Sequence, residues 1–241
     1  MFDVHAFLSY LTNAYLLEGV LVTIGLTVTT MIVGLVLGLV VALARMSPRR
    51  LFSAPAAFYV WVFRGTPLLV QLVIIYTALP QIGIRFGVLM SALLSLSLNE
   101  AAYLSETIRG GFNGIAKGQR EAAKALGLSR WHTLRLVLLP QVLRLIIPPL
   151  GNSLNGLLKA TSLASIISME ELMRRSQMLM QQKFEVLELY TVAAVYYLAL
   201  TTLWNLVQVR LEAHYGRGYG EGGKTALASK PGVPTAVGET L

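Results

Sequence analysis

The chain has 241 residues, of which 55% are hydrophobic and 13% are charged, and its formal net charge at pH 7 is +8. Soluble globular domains carry about 25% charged residues, so this chain has too little charge to cover the surface of an ordinary cytosolic enzyme. The lack of cysteine excludes a disulfide framework and a thiolate metal site.

Long apolar blocks account for this composition. A helix needs about 20 mostly apolar residues to cross a bilayer, because each residue rises about 1.5 Å through about 30 Å of hydrocarbon. Five segments meet this length and predict an all-α membrane protein with five transmembrane helices. Pro148 and Pro149 predict that the fourth span is kinked and buried, since neighbouring helices must satisfy the carbonyls that proline frees. The predicted spans are 18–44, 54–79, 88–108, 134–158 and 186–209.

The distribution of Lys and Arg predicts the orientation. Thirteen of these cations lie in the connections after spans one and three and in the C-terminal tail, against four in the other connections. The positive-inside rule therefore places the N-terminus outside and the C-terminus in the cytoplasm. The predicted organisation is an external segment over 1–17, a transmembrane domain over 18–215 and a disordered cytoplasmic tail over 216–241. Residues 168–188 predict an external amphipathic helix.

Polar side chains inside or beside the spans are costly unless they face a cavity or a partner. Interruptions of the apolar pattern at Thr66-Pro67 and over 158–167 also favour a lined cavity at membrane depth. An alternative is that Arg64, Glu106 and Lys159 form internal ion pairs that lock the helices together. The candidate substrate-pathway residues are Arg64, Thr66, Gln71, Glu100, Lys159, Thr161 and Ser162.

The connection at about 109–140 is long and unusually specific. Residues 119–126 favour helix, because Ala, Glu, Lys and Leu dominate the segment. Gly127 suits the position after a helix end where φ is positive, and Ser129 can cap the start of a second helix. Small residues at 122 and 123 leave a shallow face against which another protein could pack.

This connection resembles the EAA motif of permease subunits in ATP-binding-cassette (ABC) importers. Glu121-Ala122-Ala123, Gly127 and the run 137–140 match the pattern E-A-A-x(3)-G-x(9)-I-x-L-P, with Val in place of Ile. Further motifs in the same order are similar to those of the polar amino-acid subfamily, the histidine/glutamine-type permeases. These motifs are Phe63 to Gln71, Glu106 with Arg109-Gly110, Lys117-Gly118-Gln119, Leu139-Pro140-Gln141 and Thr161-Ser162-Leu163.

The resemblance implies a type I ABC importer permease core of five helices in the bacterial inner (plasma) membrane, which moves a polar amino acid into the cytoplasm. The implied partners are two ATPase subunits, a second permease that is identical or paralogous, an extracytoplasmic binding protein and membrane lipids. The chain itself would have no catalytic site, cofactor or metal. The implied ATPase-coupling residues are Glu121, Ala122, Ala123 and Gly127. Glu121 would anchor its helix through first-turn amides or through a cation on the partner.

An amino acid needs a cation or N–H donors for its carboxylate, and a carboxylate or carbonyls for its ammonium group. Arg64 or Lys159 could meet the first need and Glu100 the second. The subfamily commonly has Asp between this lysine and Thr-Ser-Leu, whereas this chain has Ala160. Either a paralogous permease supplies the carboxylate or the substrate needs none there, so the amino acid carried and the composition of the dimer stay open.

The tail contains a segment, 218–225, that fits the phosphate-binding pattern G-x-x-x-x-G-K-[ST]. That site needs a strand before the loop, a helix after it and a carboxylate for Mg²⁺. Here the segment follows a predicted span, and the one aspartate of the chain, Asp3, is predicted to lie outside. We therefore interpret the segment as a glycine-rich tail whose role the sequence does not indicate.

Three other functions account for the sequence less well. An ion-gradient-driven amino-acid carrier often shows inverted repeats, and none is visible here. An intramembrane enzyme is disfavoured because His5, His132 and His214 all lie outside the predicted spans. A membrane scaffold would leave the polar residues inside the spans unexplained. The basic residues report orientation, so nucleic acid is not an expected partner.

Overall fold

The computed structural model describes residues 2–216, and every regular element in that range is helical. The predicted tail therefore lies outside the described residues apart from Gly216, and so does the phosphate-loop-like segment 218–225. The helices are α1 (Val4–Tyr10), α2 (Ala14–Arg45), α3 (Arg50–Gly65), α4 (Leu68–Val73), α5 (Val88–Asn113), α6 (Lys117–Ala125), α7 (Arg130–His132), α8 (Leu139–Ala160), α9 (Leu172–Lys183) and α10 (Val186–Gly216).

Four continuous helical stretches within residues 2–216 are long and apolar enough to cross a membrane. They correspond to predicted spans one, three, four and five, and the all-helical prediction is confirmed for the described chain. Each extends beyond its predicted limits, because polar residues at the helix ends continue the hydrogen bonding that the apolar pattern alone does not reveal. The stretches are Ala14–Arg45, Val88–Asn113, Arg130–Ile167 and Val186–Tyr215.

Predicted span two is not one straight helix. The stretches Arg50–Gly65 and Leu68–Ile82 are bent by 105° where they meet. Thr66 has extended backbone there, with φ of −116° and ψ of 145°. Its neighbour Pro67 disfavours helical backbone at the preceding residue, so α3 must end at this point. The two stretches count as a fifth span only if the bent pair crosses the membrane as one unit.

Helix α8 passes through Pro148 and Pro149 without ending. Only 17% of the most apolar window of the stretch Arg130–Ile167 is buried, so the prediction of a buried fourth span is wrong within this single chain. The helix packs on α5 and α10 along one side, through residues such as Val142 and Ile146. Its other side leaves Leu143 and Leu145 exposed.

The centre of the molecule is the pair α2 and α5. A Cβ atom added at Gly38 would lie 3.0 Å from Leu104 Cβ and 3.1 Å from the carbonyl oxygen of Ala101. One added at Gly34 would lie 3.2 Å from Glu100 Cγ. Small residues thus bring the two backbones together, as is common between membrane helices.

The predicted external amphipathic segment contains helix α9, which packs on α2 and α10. Leu172 at its start is fully buried, so one side of α9 belongs to the core. The short helix α1 lies against the beginning of α10. Tyr10 of α1 donates a 2.6 Å hydrogen bond to Glu185. That bond and partial burial raise the pKa of Tyr10 to about 12.

Candidate functional site

A cavity of about 270 Å³ lies between α5 and α8, beside the start of α4. We call it the central cavity. Its lining is mixed, with polar groups from both helices facing the same space. The principal lining residues are Asn99, Glu100 and Tyr103 from α5, and Ser153, Gly156 and Ala160 from α8.

Glu100 supplies the carboxylate of the central cavity. The residue is 9% exposed, and its Oε1 atom has no hydrogen-bond partner within residues 2–216. A buried polar atom without a partner is unfavourable, so this oxygen is suited to accept from a cationic or N–H group that enters the cavity. Ala160 lines the same space, so the side chain at the position where the subfamily commonly has Asp would share the cavity with Glu100.

Thr66 and Gln71, two of the predicted substrate-pathway residues, form hydrogen bonds across the interruption between α3 and α4. Gln71 is 6% exposed, and its amide donates to the carbonyl oxygens of Phe63 at 3.0 Å and Thr66 at 3.2 Å. The Thr66 hydroxyl donates to the carbonyl oxygen of Val62 at 2.9 Å. Asn99 adds a bond of 3.2 Å to the same Phe63 carbonyl. These bonds satisfy carbonyls that the interrupted helix leaves free.

Arg64 belongs to an ionic cluster at Glu106. The Glu106 carboxylate lies 2.6 Å from Arg109, 3.5 Å from Arg45 and 4.0 Å from Arg64. The Arg64 guanidinium also lies 5.1 Å from the centre of the Tyr103 ring, which borders the central cavity. The alternative that Arg64 and Glu106 form an internal ion pair is confirmed. The cluster joins α2, α3 and α5.

Lys159, Thr161 and Ser162 follow the end of α8, and none of them lines the central cavity. Lys159 is exposed and makes no ion pair within residues 2–216, so the internal-pair alternative does not hold for it there. The Thr161 hydroxyl is buried and donates to the carbonyl oxygen of Leu158 at 2.8 Å. The Ser162 hydroxyl donates to the carbonyl oxygen of Lys159 at 2.6 Å. Both hydroxyls therefore bond to their own turn.

The predicted helix–turn–helix is present at the connection between α5 and α8. Gly127 has a φ of 72°, and its N–H donates to the carbonyl oxygen of Lys124 at 3.0 Å. The N–H of Leu128 donates to the carbonyl oxygen of Ala123 at 3.0 Å, which completes a Schellman motif at the end of α6. Ser129 caps α7 by accepting from the N–H of His132. The predictions for Gly127 and Ser129 are confirmed.

The four predicted coupling residues do not share one face. Ala122 is exposed, whereas Ala123 is 3% exposed and packs inward, so only Ala122 presents the expected shallow face to a partner. Glu121 is exposed and makes no hydrogen bond to first-turn amides within residues 2–216, so the first of its two anchoring alternatives is not seen, and anchoring by a cation of the partner stays a prediction. Two apolar residues of the same connection that the sequence did not single out are exposed: Leu126 is 79% exposed and Trp131 is 63% exposed. Large exposed apolar side chains in a polar connection favour a protein contact surface.

Sequence reasoning also missed Glu171, which lies in the predicted external amphipathic segment 168–188. Glu171 is fully buried and accepts hydrogen bonds from the Tyr197 hydroxyl at 2.8 Å and the Arg174 N–H at 2.9 Å. The Thr23 hydroxyl lies 3.4 Å from the same carboxylate. Glu171 thus joins α9 to α2 and α10, and burial raises the pKa of its carboxyl group above the ordinary value.

Within residues 2–216 no three His, Cys, Asp or Glu side chains converge as metal ligands would.

Comparison with known proteins identifies close relatives. The family model described as "Binding-protein-dependent transport system inner membrane component" matches residues 34–217. The probable amino-acid ABC transporter permease protein YckA of Bacillus subtilis (strain 168) is 40% identical over 201 residues, which cover 83% of this chain and 89% of YckA.

The glutamine transport system permease protein GlnP of Escherichia coli (strain K12) is 39% identical over 199 residues, covering 82% of this chain and 91% of GlnP. A solved structure has the same fold at higher coverage. The crystal structure of an amino acid ABC transporter with histidines matches with a TM-score of 0.84 and 31% identity, over 89% of this chain and 99% of that chain.

Proposed function

We propose a function for this chain on the premise that it belongs to the family of binding-protein-dependent transport system inner membrane components. It is a permease subunit of the amino-acid ABC transporter kind and a multi-pass protein of the inner membrane. On this basis it carries a polar amino acid into the cytoplasm, while separate ATPase subunits hydrolyse ATP and an extracytoplasmic binding protein delivers the substrate.

The unpartnered carboxylate oxygen of Glu100 in the central cavity is the observation that carries this proposal. A charge buried at membrane depth needs a partner, and the ammonium group of an amino acid provides one. Asn99, Tyr103 and Ser153 add hydrogen-bonding groups around the same space. The relatives named for glutamine and the structure determined with histidines favour a polar amino acid as the cargo.

The position of Ala160 supports one of the two interpretations of its missing carboxylate. Because Ala160 and Glu100 line the same cavity, Glu100 can supply the negative charge for the substrate's ammonium group in this subunit. A second carboxylate at position 160 would then add charge to a site that already has one. Arg64 pairs with Glu106 and lies over the ring of Tyr103. It therefore contributes positive charge near the cavity without lining it.

The partners take separate surfaces in this proposal. The ATPase subunit packs on the connection around α6, where Glu121, Ala122, Leu126 and Trp131 are exposed and Gly127 fixes the turn. Glu121 meets a cation of that subunit. The second permease covers the exposed side of α8, which explains why so little of this apolar stretch is buried within one chain. The N-terminus lies outside and the C-terminus in the cytoplasm.

The test uses the whole transporter, co-purified with its partner subunits and reconstituted in proteoliposomes with its binding protein. We expect ATP-dependent uptake of at least one radiolabelled polar amino acid from a panel of glutamine, histidine, arginine and glutamate. Glu100→Gln keeps the side-chain shape but removes the charge, and should lower the uptake rate at least about tenfold, as expected for one lost charge-assisted bond.

Glu170→Gln, at an exposed carboxylate that does not line the cavity, is the matched control and should leave uptake unchanged. Uptake that needs an ion gradient and continues without ATP would support the carrier instead of the permease. Normal uptake by Glu100→Gln would remove Glu100 from the substrate site while leaving the permease assignment intact.

A further inference from the structure

A second depression, unrelated to the central cavity, lies where the beginning of α8 meets the end of α10. It has a volume of about 270 Å³, and we call it the rim pocket. Two guanidinium groups, an imidazole and a phenol face it over a floor of leucines. Its principal residues are Arg135, Arg144, His214 and Tyr215, with Leu139 and Leu143.

Within residues 2–216, no carboxylate lines the rim pocket to compensate its positive charge. Neither Arg135 nor Arg144 takes part in an ion pair formed within residues 2–216, and both are exposed. Glu212 is the carboxylate closest in sequence to His214. Its Oε1 accepts a 2.8 Å hydrogen bond from Gln208, and Glu212 is not one of the residues that line the pocket. Among the described residues, an anionic ligand therefore meets no competing acid in the pocket lining.

The surroundings of the rim pocket are those of a membrane surface. Both helices that form it belong to stretches that can span a bilayer, and the pocket lies at the end of each. Leu143, Val207 and Leu211 on these two helices are 38%, 46% and 41% exposed. A soluble anion would bind the cations without contacting these apolar side chains. A phospholipid would place its phosphate beside the cations and its acyl chains along the apolar surface.

We propose that the rim pocket binds the headgroup of an anionic phospholipid, with Arg135 and Arg144 as the principal phosphate ligands. Basic pockets between membrane helices on the cytoplasmic side are suited to anionic headgroups. His214 and Tyr215 supply further donors, and their rings lie 5.2 Å apart in an edge-on arrangement. This site is independent of the substrate that the central cavity takes.

Arg144 also borders a neighbouring cavity of about 370 Å³ that reaches Gln119 of α6 and Gln141 of α8. The amide of Gln141 donates to Gln119 Oε1 at 3.3 Å, so α6 and α8 are in contact there. Arg135 and Leu139 of the rim pocket belong to the end of the connection that carries the EAA motif, so a lipid bound there would contact that connection directly. The identity of the bound lipid can then affect how firmly that connection is held.

The experiment measures phospholipid bound to the whole transporter by native mass spectrometry. The probes are phosphatidylglycerol and phosphatidylcholine, added in equal amounts to complexes in mild detergent. We expect the wild-type complex to retain phosphatidylglycerol in preference. The double substitution Arg135→Gln with Arg144→Gln should weaken this binding by roughly thirtyfold, at about fivefold for each cation. The charge-conserving Arg135→Lys with Arg144→Lys should retain most of it.

The matched control is Arg49→Gln with Arg50→Gln, which removes two exposed charges predicted to lie on the same side of the membrane, away from the pocket. Equal losses from both double substitutions, or equal retention of phosphatidylcholine, would overturn the proposal. Displacement by millimolar inorganic phosphate would identify a soluble anion site instead. Loss of the ATPase subunit with unchanged phosphatidylglycerol would identify the pocket as a protein contact and likewise overturn the lipid assignment.

Discussion

The side-chain amide of Gln71 donates a 3.0 Å hydrogen bond to the main-chain carbonyl of Phe63, across the point where α3 gives way to α4. The donor comes from the second helix and the acceptor from the first. Because Pro67 prevents a continuous ladder, this side chain replaces part of the hydrogen bonding that the backbone has lost. The 105° bend is therefore a defined joint between two helices.

Gln71→Leu should destabilise the protein by about 1–3 kcal/mol, because buried carbonyls lose their donor. The measurement is the midpoint of denaturant-induced unfolding of the purified full chain in detergent. Gln81→Leu makes the same change at an exposed glutamine near the end of the same stretch and should have little effect. If the two variants unfold together with the wild type, Gln71 does not hold the joint.

Gly127→Val should abolish coupling between ATP hydrolysis and uptake, because a φ of 72° is strained for a β-branched residue. The strain is about 1–2 kcal/mol and would open the Schellman motif. The readout is uptake together with ATPase activity of the reconstituted complex.

Two control variants accompany Gly127→Val. Gly127→Asn should retain much of the uptake, since Asn tolerates positive φ. Gly118→Ala, in the adjoining helix α6, adds a Cβ atom with no packing neighbour within 4 Å and should behave as wild type. Full uptake by Gly127→Val, with normal membrane insertion, would count against the coupling role of this turn.

Glu106→Gln should lower stability, since three arginines from three helices would lose their common carboxylate. Hydrogen bonds to charged groups contribute about 1.5–3 kcal/mol, and the side chain is only partly shielded, so we expect a loss near the lower end. Thermal unfolding of the purified chain measures the loss. Glu121→Gln, at an exposed carboxylate that makes no ion pair within residues 2–216, is the control, and an equal effect of both changes would contradict the cluster's structural role.

Glu171 predicts a pH dependence of stability. Its folded-state pKa lies above 4.5 because the carboxyl group is buried, so above that pH the folded chain keeps a proton that the unfolded chain has released. Its contribution to stability is therefore present below the unfolded pKa and is lost as the pH rises through the folded pKa.

Thermal unfolding of wild type and Glu171→Gln should therefore diverge as the pH rises above 4.5, with the variant losing less stability. Glu170→Gln changes the neighbouring exposed carboxylate and should follow the wild-type curve. A wild-type profile parallel to that of Glu171→Gln between pH 5 and pH 8 would show that the carboxylate is not desolvated.

The sequence predicted those features whose conformation is set by residues close by in the chain. The turn at Gly127 and the cap at Ser129 were predictable because both obey rules that act within four residues. The opposite orientations of Ala122 and Ala123 were not predictable, since the motif spacing does not state which side of α6 faces its own chain. The apolar length rule located four spans, but the size of the bend at Thr66 depends on packing between helices.

The candidate site shows the same division. Glu100 was identified because a carboxylate inside an apolar span is conspicuous. Gln71 was identified because it too is a polar side chain inside an apolar span, but its hydrogen-bond partner is a carbonyl of the interrupted helix and not a ligand. Glu171 was missed because it follows Glu170 and precedes two arginines, which reads as a solvated run. Its burial arises from Thr23 and Tyr197, which are distant in the chain.

The close approach of α2 and α5 at Gly34 and Gly38 has a consequence for which walls of the central cavity can move. Glu100 projects from the part of α5 against which Gly34 packs, so one wall of the central cavity is fixed to a second helix. The opposite wall, on α8, has much less of its surface held within the chain. If the chain transports as proposed, we expect α8 and the joint at Thr66 to move while α2 and α5 stay fixed relative to each other.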